Sequence, residues 1–86
     1  MRLFCHGLIQ VAVGLAHVQR GNYRGAVALL ARGLEKLERC PERCQGLDVA
    51  SFVEAVRQCR ETLLALGPGG VARFPWDQAP KILSAD

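Results

Sequence analysis

The sequence predicts an all-α fold, a small bundle of three helices followed by an irregular C-terminal arm. Three observations carry this. Apolar residues recur at helical spacing over three long segments, and these segments are punctuated by Gly21-Asn22 and by the Pro41-containing stretch Cys40–Leu47. No segment alternates apolar and polar residues with the period of a half-buried strand. The helices are expected at about 3–19, 23–39 and 49–66, so that residues 1–67 form the bundle and 68–86 the arm.

In the first helix Leu8, Ile9, Ala12, Val13, Leu15 and Ala16 cover most of the circumference, the pattern of a helix sheltered on several sides. Gly7 and Gly14 lie on one face, and each costs about 1 kcal/mol relative to Ala inside a helix. Another helix approaching closely at both positions would compensate that cost. Gly21 ends this helix and Asn22 caps the next. Ala26, Val27, Leu30, Leu34 and Leu37 form the buried stripe of the second helix, while Arg24, Arg32, Glu35, Lys36 and Glu38 face water.

Asp48 is placed to cap the third helix, whose apolar stripe runs Phe52, Val53, Val56, Cys59, Leu63, Leu66. Gly67-Pro68-Gly69-Gly70 stops it. In the arm, Phe74, Trp76, Ile82 and Leu83 are expected either to strap across the bundle or to mark a contact surface. Met1-Arg2-Leu3-Phe4 offers no capping residue, so the chain starts inside a helix. The apolarity of that helix predicts a further covering helix, either from a segment ahead of it or from a second copy.

With 86 residues, half of them hydrophobic and 22% charged, the chain is long enough for one domain with a thin core. Its net charge of +3 comes from eleven basic residues dispersed among eight acids, which does not form the dense basic patch of a nucleic-acid binder. Arg2 precedes an apolar run, but His6, Gln10 and His17 interrupt it and no small-residue cleavage site follows. The run is equally unsuited to a membrane span, which needs about 20 mostly apolar residues. A cytoplasmic protein with no membrane or nucleic-acid partner is the expectation, and its four cysteines are then reduced thiols.

Candidate chemistry lies first with His6, Gln10 and His17, three polar groups on one otherwise apolar stripe. The two histidines are eleven residues apart, a rise of about 16 Å along the helix. Zinc holds ligand nitrogens at ~2.0–2.1 Å, so the pair cannot share one ion within one helix. The favoured role is as polar anchors, with Gln10 and His17 bonding a backbone carbonyl or the corner between the first two helices. The alternative is that they are metal ligands or acid–base groups.

Cys40 and Cys44 flank a loop at a spacing that zinc sites permit, with Cys59 or Cys5 to complete a set, but no second close pair exists. Cys5 and Cys59 read as small core residues. Ser51 and Ser84 have no His and acid in a recognisable relation. The Gly67–Gly70 run lacks the Lys-Ser/Thr of a phosphate loop.

Phe4-x-His6-Gly7-Leu8-Ile9-Gln10, Ala12, and His17-x-x-x-Gly21-Asn22-x-x-Gly25-Ala26-x-x-Leu29-Leu30 resemble a small prokaryotic helical family. It is known as the domain of unknown function 309 family, and its members are often labelled predicted metal-dependent hydrolases. Gly46-Leu47-Asp48 and Pro80-Lys81-Ile82 fit the same pattern, extending the resemblance over roughly Phe4 to Leu66 and into the arm.

The resemblance implies an all-α bundle and carries over Gln10, His17, Asn22 and, less directly, His6. Family members usually begin with an extra helix bearing a His-Glu pair, ahead of the segment where this sequence starts. A metal or acid–base site would then be completed by such a helix or by a second subunit. A fainter likeness, in Gly21-Asn22-Tyr23-x-x-Ala26, is to tetratricopeptide-type hairpins, but no second copy follows.

The residues themselves favour a self-associating or partner-binding module, contacting a second copy through the apolar face of the first helix. They supply no catalytic constellation and call for no cofactor. The alternative is a metal-dependent hydrolase using a divalent ion, with His17 and His6 as candidate ligands or catalytic groups beside Gln10, and Cys40 and Cys44 as further candidate ligands.

Overall fold

The computed structural model describes residues 2–44 and 46–78. Its elements are α1 (Arg2–Gln19), α2 (Tyr23–Glu38), β1 (Arg43–Cys44), β2 (Leu47–Asp48) and α3 (Val49–Gly70), then 3-10 turns at Val71–Arg73 and Trp76–Gln78. The all-α expectation holds, with one correction. A two-stranded antiparallel ladder pairs Arg43 with Asp48 and Cys44 with Leu47 in the segment expected to be plain loop. Two residues per strand leave no periodicity to read.

The chain turns from α1 into α2 at Gly21, whose φ of 78° is the left-handed region that a side chain would strain. Asn22 caps α2 as expected, its side-chain oxygen accepting from the Gly25 N–H at 3.0 Å. Asp48 caps α3 through the Ser51 N–H at 3.1 Å, and the Ser51 hydroxyl donates to its other oxygen at 2.9 Å. The expected stop at Gly67 is a kink. Gly67 takes φ 70°, ψ 177°, and Pro68 begins a last helical turn beyond it.

The core is one cluster. It joins Phe4, Val11 and Val18 of α1 to Ala26, Leu30, Leu34 and Leu37 of α2, and to Phe52, Val53, Val56, Cys59 and Leu63 of α3. The predicted stripes of α2 and α3 are thus the buried ones. α1 packs chiefly on α2, α3 packs on α2, and the Val71–Arg73 turn reaches back to α1. The molecule measures 37 × 24 × 18 Å, so its thinnest dimension holds two layers of helix, each about 10 Å across. Among the described residues no helix lies over the other side of α1.

The close approach expected at Gly7 and Gly14 is present. A Cβ on Gly7 would lie 2.8 Å from Leu37 Cγ, and one on Gly14 3.1 Å from Leu30. Within the arm, Phe74 is buried and meets the half-exposed Trp76 edge-on, with ring centroids 5.0 Å apart. Ile82, Leu83 and Pro80-Lys81-Ile82 lie outside the described residues.

Candidate functional site

His17 and Gln10 stand where α1 meets α2. Asn22 Oδ1 is committed to the Gly25 N–H, which turns its amide nitrogen toward His17 Nδ1 at 3.2 Å. An amide nitrogen only donates, so in this contact Nδ1 accepts. The Asn22 N–H also donates to the His17 carbonyl at 2.8 Å. One residue therefore caps α2, closes the corner and orients the histidine. Gln10 makes a different contact from the one expected of it: its side-chain oxygen accepts from Lys36 Nζ at 2.9 Å, tying α1 to α2 midway along their packing. Lys36 is thus half-buried where the sequence placed it in water. His6 is exposed, on the side of α1 that also carries Ile9 and Val13.

The structure does not bring His6, Gln10 and His17 to one point. Among the described residues no group of three or more His, Cys, Asp or Glu side chains is placed to hold a metal ion. Among the described residues no buried side-chain nitrogen or oxygen is left without a hydrogen-bond partner.

Cys40 is half-buried, and its Sγ–H donates to the Lys36 carbonyl at 3.5 Å. Burial pushes its thiol above the ordinary range, and the neighbouring Cys44 pushes in the same direction. Burial likewise raises Cys59. Raised thiols are poor nucleophiles at neutral pH. Cys5 corrects the expectation that it is a core residue, because it lies exposed on the uncovered side of α1.

Two depressions accompany these groups. One, of about 90 Å³, is lined by Ala55, Gln58, Cys59, Thr62, Phe74 and Pro75, well below the ~300–1,000 Å³ of a substrate pocket. The other is an open groove between α2 and α3 with Glu35, Glu38, Arg57, Arg60 and Glu61 on its walls. Its arginines are engaged: Arg57 bridges Glu38 and Glu54, and Arg60 Nε donates to the Val27 carbonyl at 3.3 Å. Sequence reading foresaw these side chains only as solvated helix faces.

The most distinctive surface is the outer face of α1. Ile9 is 57% exposed and Val13 40%, one turn apart, with exposed Cys5 a turn before Ile9. From Leu3 to Gln19 the sequence contains no Lys, Arg, Asp or Glu. Hydrophobic side chains are thus displayed on a helix that contributes no Lys, Arg, Asp or Glu of its own over this stretch, with the Lys36 ammonium of α2 reaching Gln10 on its flank.

Fold and surface define a small all-α helix-bundle domain with an uncovered first helix. The model of a domain of unknown function, DUF309, matches residues 1–29. That segment is α1, the Gly21-Asn22 corner and the opening turns of α2, and it includes His6, Gln10, His17 and Asn22. The match ends before Gly46-Leu47-Asp48. No curated protein and no solved structure matches the chain. No helix among the described residues is long and apolar enough to cross a membrane.

Proposed function

We propose that this chain is a self-associating helical module, and that the outer face of α1 is where a second copy docks. The observation that supports this reading is the exposure of Ile9 and Val13 within seventeen residues free of Lys, Arg, Asp and Glu. An uncharged apolar face is complementary to itself, since a copy of it brings no charge that must be desolvated unpaired. A charged partner surface would bring such charges.

The magnitude sets the strength. Full burial of such a side chain is worth ~1.5–3 kcal/mol, and these two are about half exposed, so four of them in a dimer contribute roughly 3–6 kcal/mol. That is near the low end of the ~4–15 kcal/mol cost of association, so the dimer is weak and concentration-dependent. The reading assigns no catalytic role to His6, Gln10, His17, Cys40 or Cys44 and no resident metal, and it places the protein in the cytoplasm.

Sedimentation equilibrium across a wide concentration range tests it. The wild-type chain should pass from monomer to dimer, and Ile9→Asp should weaken association by roughly tenfold or more while leaving the helical circular dichroism unchanged. A wild-type chain that stays monomeric at millimolar concentration would overturn the reading.

A further inference from the structure

We propose that residues 71–78 form a strap that swings away from the bundle as one unit about a hinge at 67–70, uncovering the Cys59 face of α3 while the three helices stay packed. The hinge is written into the backbone. Gly67 takes φ 70°, ψ 177°, a conformation that essentially glycine alone adopts. Pro68 follows it and has no N–H to give the carbonyl of the preceding turn, so α3 is broken at this point. A Cβ on Gly67 or on Gly69 would meet nothing within 4 Å, so neither position is wedged against the helices.

Beyond the hinge the grip on the bundle is narrow. Val71 and Phe74 are buried, while Ala72, Arg73, Trp76 and Asp77 are exposed. Two of the contacts that shape the segment are internal to it: the edge-on meeting of Phe74 with Trp76, and the bond from the Phe74 N–H to the Val71 carbonyl at 3.2 Å. Both travel with the strap when it moves.

The seam under the strap is incompletely filled. The cavity of about 90 Å³ lies between Phe74 and Pro75 on one side and Ala55, Gln58, Cys59 and Thr62 of α3 on the other. Side chains that line a void lack the dispersion contacts that hold a close-packed core together. A glycine hinge, two apolar anchors and a flawed seam together make this segment a unit that opens ahead of the rest of the fold.

Cys59 reports the motion, because its thiol is buried at 6% exposure and lines the seam, so alkylation there requires an opening. The full chain is treated with iodoacetamide at fixed pH over a series of urea concentrations below the unfolding transition. Alkylation of Cys59 is followed by peptide mass spectrometry, and global unfolding by circular dichroism in the same solutions. Cys59 should react at least about tenfold faster than the globally unfolded fraction allows. Its rate should rise only weakly with urea, since a moving strap exposes far less surface than unfolding does. A rate that matches global unfolding in size and in urea dependence shows that strap and bundle open only together, and overturns the proposal.

Two substitutions locate the opening. Gly67→Ala strains the closed hinge without touching a neighbour, and should speed Cys59 alkylation by roughly tenfold. Leu30→Val thins the core where α2 meets Gly14 of α1, and should lower Tm while leaving the Cys59 rate within about twofold of the wild type. A Cys59 rate that follows Leu30→Val, or that ignores Gly67→Ala, shows that the helices themselves part at Cys59 and overturns the strap. The urea comparison needs no substitution, so it decides the matter even where Gly67→Ala fails to fold.

Discussion

Gly7 and Gly33 face each other where α1 crosses α2. A Cβ placed on Gly33 would stand 3.0 Å from the Gly7 carbonyl oxygen, 3.2 Å from the Val11 nitrogen and 2.7 Å from Val11 Cγ2. A Cβ on Gly7 would stand 3.3 Å from the Gly33 carbonyl oxygen, with its closest contacts being the side-chain carbons of Leu37. Backbone lies against backbone at this crossing. Each glycine costs helix propensity, and the gain is the close seating of Val11, Leu30 and Leu37 in one core.

The asymmetry between these glycines predicts different outcomes for one substitution. Gly33→Ala gains up to about 1 kcal/mol of helix propensity, but it drives a methyl group into α1 backbone, and overpacking of that kind costs about 1–3 kcal/mol. The net expectation is a loss of up to about 2 kcal/mol, seen as a fall in Tm of up to roughly 15 °C. Gly7→Ala presses chiefly on Cγ and Cδ2 of the fully buried Leu37, a side chain that must repack where Gly33→Ala meets backbone, and should cost less. Thermal denaturation of the two variants beside the wild type decides the matter. An unchanged or raised Tm for Gly33→Ala would show that the helices are not seated this closely.

Asn22→Ala removes the cap of α2 and the partner of His17 together. Loss of an N-cap costs about 1 kcal/mol, or roughly 4–8 °C in Tm for a domain of this size. Asn22→Asp separates the two roles, because the carboxylate still accepts from the Gly25 N–H but has no amide proton for His17 Nδ1. It should retain most of the stability. His17→Ala should lower Tm modestly and leave native mass spectra before and after chelator identical to the wild type. One metal ion per chain that disappears both with chelator and with His17→Ala would instead make His17 a ligand.

Much of this architecture is legible in the residues because it is local. Asn22 and Asp48 carry oxygens that satisfy amides three residues on, Gly21 permits a left-handed turn, and the 3.6-residue period marks the stripes that become core. What the period does not contain is which faces find a neighbour. Cys5 has the environment of a core residue along the sequence, yet it points to the side of α1 that α2 leaves bare. The role of Gly33 lies in a contact with Gly7 and Val11 that exists only once α1 is beside α2. The Arg43–Asp48 pairing depends on where α2 delivers the chain and where α3 begins, and four residues carry no pattern of their own. The candidate site was legible as a list of residues but not as a set of contacts: His17 found Asn22 nearby, Gln10 found Lys36 twenty-six residues away, and His6 remained on the surface.

Asp48 gives the fold a defined acid limb. The Ser51 N–H and then the Ser51 hydroxyl donate to its carboxylate, holding it below the ordinary Asp range. A carboxyl depressed in the folded state contributes stability that is fully present above its unfolded value, about 3.9, and is lost as pH falls through the folded value. The wild-type chain should therefore lose an increment of Tm on acidification below about pH 4. Asp48→Asn keeps an oxygen for the Ser51 N–H but does not titrate, so its Tm should follow a flatter course over the same interval. Parallel acid limbs for the two proteins would show that Asp48 is not the titrating group.

Salt separates contact through the bare face of α1 from contact through charge. Each copy carries a net charge of +3, and the α1 face itself contributes no Lys, Arg, Asp or Glu between Leu3 and Gln19. Bringing two copies together therefore costs long-range repulsion without a compensating ion pair across the seam. Mobile ions screen that repulsion once the Debye length falls to about 10 Å near 0.1 M, while an apolar contact through Ile9 and Val13 is not weakened by salt at this level. Association measured by sedimentation should tighten a few-fold between roughly 0.02 and 0.3 M sodium chloride and then level off. Contact through the α2–α3 groove, where Glu35, Glu38 and Glu61 stand beside Arg57 and Arg60, would do the reverse, since attraction between opposite charges fades as the ions screen it. A dimer that loosens with salt would move the interface from α1 to that groove.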